Sequence, residues 1–390
     1  MNIAEFFEPV DDKIIQFNSK EKKALYGNII RKFSNEEGFP DLTDVQLAIV
    51  GVPEDRHVEN NEGCALAPNF VRKYLYKLYK GLGRTNIVDL GNIKRGHSVN
   101  DTYIALSNVV SELIQNKILP IIIGGSQDLT YANYLAYENM GQIINIVSVD
   151  CAFDLGKNEN VINSQSYLSQ IILHQPNFLF NYANIGYQTY FVDQEAVELM
   201  NKLYFDAFRL GNVRADMEEV EPIVRNADVL SFDISAIRHS DAPGNNNASP
   251  NGFYGEEACQ IARYAGLSDK LSSIGFYELN PVFDINEQTS HLVAQMIWYF
   301  IEGFNNRKKD LPLKDKSEYI KYRVSLKNDE HEIVFYKSKK SDRWWMEVPF
   351  QTSLTKYERH HLVPCSYKDY QVACKDEMPD KWWQAYQKLT

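Results

Sequence analysis

Positive charge is in short supply in this chain, where 41 Lys and Arg stand against 52 Asp and Glu for a formal net charge of −11. Binding to nucleic acid or to an anionic membrane rests on basic surface meeting phosphate, so neither is an expected partner. Long apolar runs are missing too, and no stretch approaches the roughly 18 residues of a membrane span. The opening "MNIAEFFEPVDDKIIQF" places acids early and sustains no apolar h-region, so a cytoplasmic protein is expected. Cysteine is sparse: Cys64, Cys151, Cys259, Cys365 and Cys374 are odd in number and scattered, without the C-x-x-C spacing of a zinc or redox pair. A G-x-S-x-G elbow is absent, which argues against a serine hydrolase. "GGSQD" at Gly124 lacks the further glycines and the lysine of a P-loop.

What the sequence does have is a recurrence of continuous apolar, β-branched segments: 45–52, 86–90, 119–123, 143–150, 182–187, 205–210, 229–234 and 271–277. Continuous rather than alternating runs suit strands buried on both faces of a parallel sheet. Helix-like stretches lie between them, at 68–80, 101–116, 128–137, 193–203, 217–225, 255–264 and 289–304. The alternation predicts an α/β fold with a doubly wound, mainly parallel sheet of eight strands. In such sheets the polar residues at the carboxyl ends of strands form the ligand crevice, and Gln127, Asp150, Asp233 and Glu278 all fall there.

Three regions are expected: an N-terminal helical segment over 1–44, the α/β domain over 45–305, and a Trp-rich C-terminal extension over 306–390. "NNRKKDLPLKDKSE" marks the last boundary. Beyond it the chain carries a net charge of about +5, leaving about −16 for the larger part. Alternating runs at 319–326 and 332–337, separated by "KNDEH", and a third at 343–348 predict a small antiparallel meander followed by an irregular tail. Four of the five tryptophans form two pairs there, Trp344-Trp345 and Trp382-Trp383. They serve either packing on the main domain or a patch for a partner.

Four fragments stand out: "GGSQD" at 124–128, "DCAFD" at 150–154, "SFDIS" with "DAPG" between 231 and 244, and "ELNP" at 278–281. In this order and spacing the chain resembles the ureohydrolase superfamily of arginase, agmatinase and formimidoylglutamase. "GVPED", "NEGCALAPNFVRKYL", "DLG" and "SPNGFYGEEA" resemble its flanking segments, so the likeness runs from about Val45 to Phe304.

The resemblance implies a three-layer arginase-type fold and a binuclear manganese site that hydrolyses a guanidino or formimino group. The family's six ligands come from G-G-x-H, D-A-H-x-D and S-x-D-x-D. Carried onto this chain, the first histidine becomes Gln127, Asp150 and Asp154 are kept, the second histidine becomes Ala152, Asp233 is kept, and its partner becomes Ser235. One subsite, Gln127, Asp150, Asp154 and Asp233, is then an all-oxygen set for at most one hard cation, Mn²⁺, Mg²⁺ or Ca²⁺. The other loses its donors at Ala152 and Ser235, so a binuclear cluster is not expected.

Glu278 matches the glutamate that binds the cationic end of substrate, and with Asp154 it is either a vestige of the catalytic set or a substrate-binding group. The family's proton-transferring histidine is missing from "NENVINSQSYL", where Ser164, Gln165 and Ser166 are no substitute. Arg238 stands where the family has aspartate, as a compensating cation for the carboxylates or as a loop arginine in solvent. His57, His97 and His174 match no ligand position. Two functions follow: an arginase-family scaffold that has lost its hydrolase activity and works by binding or assembly, or an active hydrolase of guanidino or formimino compounds using one metal. A homo-oligomer or a protein partner is expected, with the Trp-rich extension as the contact surface.

Overall fold

The computed structural model describes residues 2–15, 23–156, 162–312, 316–326, 331–350 and 357–389. Its centre is a sheet of eight parallel strands. In chain order these are β3 (Leu47–Val52), β4 (Ile87–Ile93), β5 (Leu119–Gly124), β6 (Ile144–Val149), β7 (Leu179–Tyr187), β8 (Asp206–Arg209), β9 (Val229–Asp233) and β10 (Ser273–Tyr277). Across the sheet they run β4-β3-β5-β10-β9-β6-β7-β8. Two short pieces, β1 (Phe7–Glu8) and β2 (Arg31–Lys32), both pair with β4.

The continuous apolar runs arise because both faces are covered. In β3, Leu47 and Ile49 pack into one core while Ala48, Val50 and Val52 pack into another across the sheet. Successive side chains of a strand point to opposite faces, so a strand between two cores must be apolar at every position. Helices Ala67–Leu75, Gly255–Leu267 and Gln288–Asn305 cover the first face, and Val99–Gln115, Leu129–Asn139 and Tyr167–Leu173 the second. The result is the expected three-layer α/β architecture. No described helix is long and apolar enough to cross a membrane.

A separate antiparallel sheet follows: β11 (Tyr319–Leu326), β12 (His331–Ser338), β13 (Trp344–Glu347) and β14 (Leu362–Cys365), in that order. The meander therefore has a fourth strand that the alternation did not reveal. Residues 327–330, between the first two runs, lie outside the described residues. The tail is not irregular, because helices Tyr367–Ala373 and Asp380–Leu389 complete it. The N-terminal segment also departs from expectation: its described part holds a 3-10 turn, two four-residue helices and the edge strands β1 and β2. Edge pairing with β4 decides its backbone more than helix propensity does.

Trp344, Trp345 and Trp382 are buried, whereas Trp383 is 47% exposed. Arg225, buried under the first sheet, joins the two parts. It donates to Trp344 O at 3.1 Å and Cys365 O at 3.2 Å, and its guanidinium lies 4.3 Å from the Trp345 ring centroid. Three of the paired tryptophans are thus committed to packing within the chain.

Candidate active site

The parallel register brings the carboxyl ends of β5, β10, β9 and β6 side by side. Tyr277 pairs with Asp233, Ile123 with Phe276, and Val149 with Phe232. The next residue on each strand, or the next few, belongs to one of the four sequence fragments. Gly125 permits the closest turn, since a Cβ there would stand 1.9 Å from Glu54 O.

Gln127 is fully buried, and its Nε2 faces three hydroxyls: Tyr167 at 3.2 Å, Ser148 and Ser231 each at 3.4 Å. Its backbone N donates to Glu278 Oε1 at 2.9 Å. Asn61 Nδ2 donates to Glu278 Oε2 at 2.8 Å, so both carboxyl oxygens of Glu278 are held. Asp150 Oδ1 accepts from Ala152 N at 2.9 Å, and Asp233 Oδ1 accepts from Ser235 N at 2.6 Å. Asp150 and Asp154 lie close enough that each carboxyl perturbs the other. Two of these residues, Asp154 (φ 51°) and Glu278 (φ 65°), sit in the left-handed region that non-glycine residues rarely adopt.

Burial raises all of these acids. Asp154 is pushed well above the ordinary carboxylate range by burial and then by Asp150, and Asp233 by burial, Asp150 and Glu278. Asp150 is raised by burial, and Glu278 is raised to about 8, again mainly by burial. Charges of one sign taken out of water must share protons or find a cation. Gln127 Oε1, Asp150 Oδ2 and Asp154 Oδ2 are buried with no hydrogen-bond partner, so each is an acceptor open to a donor or a cation.

These donors fit one hard cation by chemistry, being oxygen throughout. Ala152 brings no donor, and Ser235 brings a neutral hydroxyl that lies 3.4 Å from Cys151 Sγ. As the side chains stand, no group of three or more His, Cys, Asp or Glu among the described residues is arranged to hold a metal ion. The fourth donor, Gln127, is an amide.

Other expected residues lie elsewhere. Arg238 does not compensate the carboxylates: its Nε donates to Asp241 Oδ1 at 2.8 Å, and its guanidinium stacks 3.8 Å from the Tyr254 centroid. His57 Nδ1 lies 3.2 Å from Tyr103 OH, His174 pairs with Glu138 at 2.9 Å, and His97 is exposed. Ser164 Oγ accepts from Glu59 N, and residues 157–161 lie outside the described residues. Burial holds the Cys151 thiol well above its usual range, so it is no ready nucleophile.

Asn61, Tyr167, Ser148 and Ser231 were missed as site residues. The serines interrupt otherwise apolar strands two residues before Asp150 and Asp233, and polar residues at fully buried strand positions were the available signal.

Comparison with known proteins matches residues 45–302 to the family described as the arginase family. A formimidoylglutamase of Staphylococcus haemolyticus is 26% identical over 282 residues, covering 69% of this chain and 90% of its own length. One from Staphylococcus aureus is 26% identical over 287 residues, covering 68% and 90%. Among solved structures, Trypanosoma cruzi formiminoglutamase with Mn²⁺ superposes with a TM-score of 0.64 at 19% identity, over 72% of this chain and 98% of that one. Bacillus subtilis formimidoylglutamase gives 0.64 at 17% identity, over 75% and 95%.

Proposed function

The chain belongs to the arginase family, and we propose that it hydrolyses a C–N bond of a formimino or guanidino compound, as a formimidoylglutamase-like enzyme served by one divalent cation. The observation that carries this reading is the trio of buried, unpartnered oxygens on Gln127, Asp150 and Asp154. Each unmet acceptor costs about 1–3 kcal/mol, so a pocket that keeps three gains from a cation between them. Gln127, Asp150, Asp154 and Asp233 would hold it. A divalent cation bound there supplies a water acidified enough to act as a nucleophile near neutral pH.

The remaining residues bind and orient. Glu278 faces the same mouth, and an amidinium placed against it favours the ionised carboxylate that burial otherwise opposes. The donors from Gln127 N and Asn61 Nδ2 fix the plane of that carboxyl, so the cationic end of the ligand is aimed rather than merely attracted. Similarity to formimidoylglutamases supports a formimino substrate over a guanidino one.

Ala152 and Ser235 favour a second reading, in which the pocket keeps the family fold and binds without turnover. The test is Mn²⁺ content after equilibrium dialysis, together with formamide release from N-formimino-L-glutamate and urea release from agmatine and arginine. One ion per chain with formamide release supports the hydrolase. No release from any of the three compounds leaves the binding reading standing.

A further inference from the structure

A cavity of about 40 Å³ lies where the C-terminal extension meets the opposite end of the sheet. Asn145, Asn181 and Asp206, at or near the amino ends of β6, β7 and β8, form one wall, and His360 and Lys388 from the extension form the other. That volume admits about three water molecules, or a ligand of five or six heavy atoms.

Two of its polar side chains are almost fully buried and unmet. Asn145 is 2% and His360 3% exposed, and neither Asn145 Oδ1 nor His360 Nδ1 has a hydrogen-bond partner. Their orientations are fixed by their other atoms. Asn145 Nδ2 donates to Asn226 O at 3.0 Å, which identifies the unmet atom as the amide oxygen. His360 Nε2 lies 3.3 Å from Ile143 O, and a carbonyl only accepts, so Nε2 carries the hydrogen and Nδ1 a lone pair. Burial, with Lys270 and Arg359 nearby, keeps this imidazole neutral. Both unmet atoms are therefore acceptors, and they call for a donor.

A cation alone does not suit as the donor, because Lys270, Arg359 and Lys388 all bear on His360, so the donor has to arrive on a ligand that also carries a negative group. Lys388 Nζ donates to Asn181 Oδ1, and Asn181 Nδ2 in turn donates to Asp206 Oδ2 at 2.9 Å. Burial brings Lys388 down to about 8, a loss that an anionic ligand group would reverse. Phe180, stacked on His360 at 4.2 Å between centroids, gives an apolar side wall.

We propose that this cavity is a second binding site, for a two- or three-carbon carboxylate bearing a hydroxyl or amino donor. The donor meets Asn145 Oδ1 and His360 Nδ1, and the carboxylate meets Lys388 Nζ. The extension that supplies His360 and Lys388 lies beyond the segment matched to the family, so the site is built from what this chain adds. A ligand there bridges the extension and the sheet, and stabilises the whole chain by binding only the folded form.

The test is titration calorimetry and thermal unfolding of the full chain with glycolate, glycine, acetate and ethylamine at millimolar concentration. Glycolate or glycine should bind and raise the unfolding temperature. Acetate, without the donor, and ethylamine, without the carboxylate, should bind at least about tenfold more weakly, equivalent to about 1.4 kcal/mol. Lys388→Met and Asn145→Leu should each weaken the preferred ligand by a similar factor. Should Asn145→Leu fail to fold, Lys388→Met, a change on the last turn of the C-terminal helix, still carries the test. The proposal is overturned if neither glycolate nor glycine binds, or if acetate binds as well as glycolate, or if a crystal structure grown with glycolate shows ordered water alone in the cavity.

Discussion

Asp154 is buried beside Asp150 at the carboxyl end of β6, and burial with the charge of Asp150 pushes its carboxyl well above the ordinary range, so Asp154 holds a proton when no cation is present. Asp154→Asn replaces that proton with an amide donor and spares the folded chain the cost of taking the proton up at neutral pH. Asparagine also tolerates the φ of 51° better than most residues. In EDTA the variant should be about 1–2 kcal/mol more stable to urea than the parent, as expected where a functional site holds strain. It should also lose any stabilisation by Mn²⁺. A variant less stable than the parent in EDTA would refute this account of the pair.

Restoring the missing donors asks whether the second subsite was lost by those residues alone. With Gln127→His, Ala152→His and Ser235→Asp combined, Mn²⁺ content should rise from one to two ions per chain. The hydroxyls of Ser148, Tyr167 and Ser231 that surround Gln127 remain available to orient an imidazole at 127. If content stays at one or below, the pocket has been reshaped beyond its ligands.

The sheet was legible because strands between two cores must be apolar throughout, as in β3 and β5. Asp150, Asp233 and Glu278 were legible because parallel strands present their carboxyl ends together. Asn61 was not, since its partner Glu278 stands 217 residues away in sequence and nothing local signals the contact. Of the two readings of Arg238, the loop arginine holds, because its nearest acid, Asp241, three residues on, satisfies it locally. The helix Asp380–Leu389 was hidden because the adjacent pair Trp382-Trp383 marks no helical period, whereas Trp382 and Tyr386, four apart, stack at 5.1 Å on one helical face.

Arg72 and Asp89 provide a test of the core itself. Both are fully buried, joined by bonds of 2.8 and 2.9 Å, and Tyr76 OH adds a third donor to the same carboxylate at 2.8 Å. Arg72→Met leaves Asp89 charged and short of partners in the interior, so it should cost about 3–5 kcal/mol in urea unfolding. Arg72→Met with Asp89→Asn should recover part of that loss. No recovery would mean that Arg72 matters for its packing and its bonds to Asn92 and Gly91 rather than for its charge.

Lys270 makes a prediction about pH. Its ammonium is buried, donates to Asn226 Oδ1 at 3.0 Å and stands 3.8 Å from Asp228 Oδ2, which already accepts from Asn145 N while Arg359 holds Asp228 Oδ1. Burial lowers Lys270 to about 8, Arg359 contributes in the same direction, and Asp228 only partly opposes them. In the unfolded chain a lysine titrates near 10.4. Between about pH 8 and 10 the unfolded chain therefore binds more protons at this position than the folded one, and the contribution of Lys270 to stability rises with pH, by at most about 1.4 kcal/mol per unit. Lys270→Met removes that slope while leaving Asp228 its other two partners. Urea unfolding of parent and variant at pH 7.5, 8.5 and 9.5 should show the parent gaining on the variant at each step. A stability difference that stays flat, or shrinks as pH rises, would show that the folded protein keeps Lys270 charged across this range.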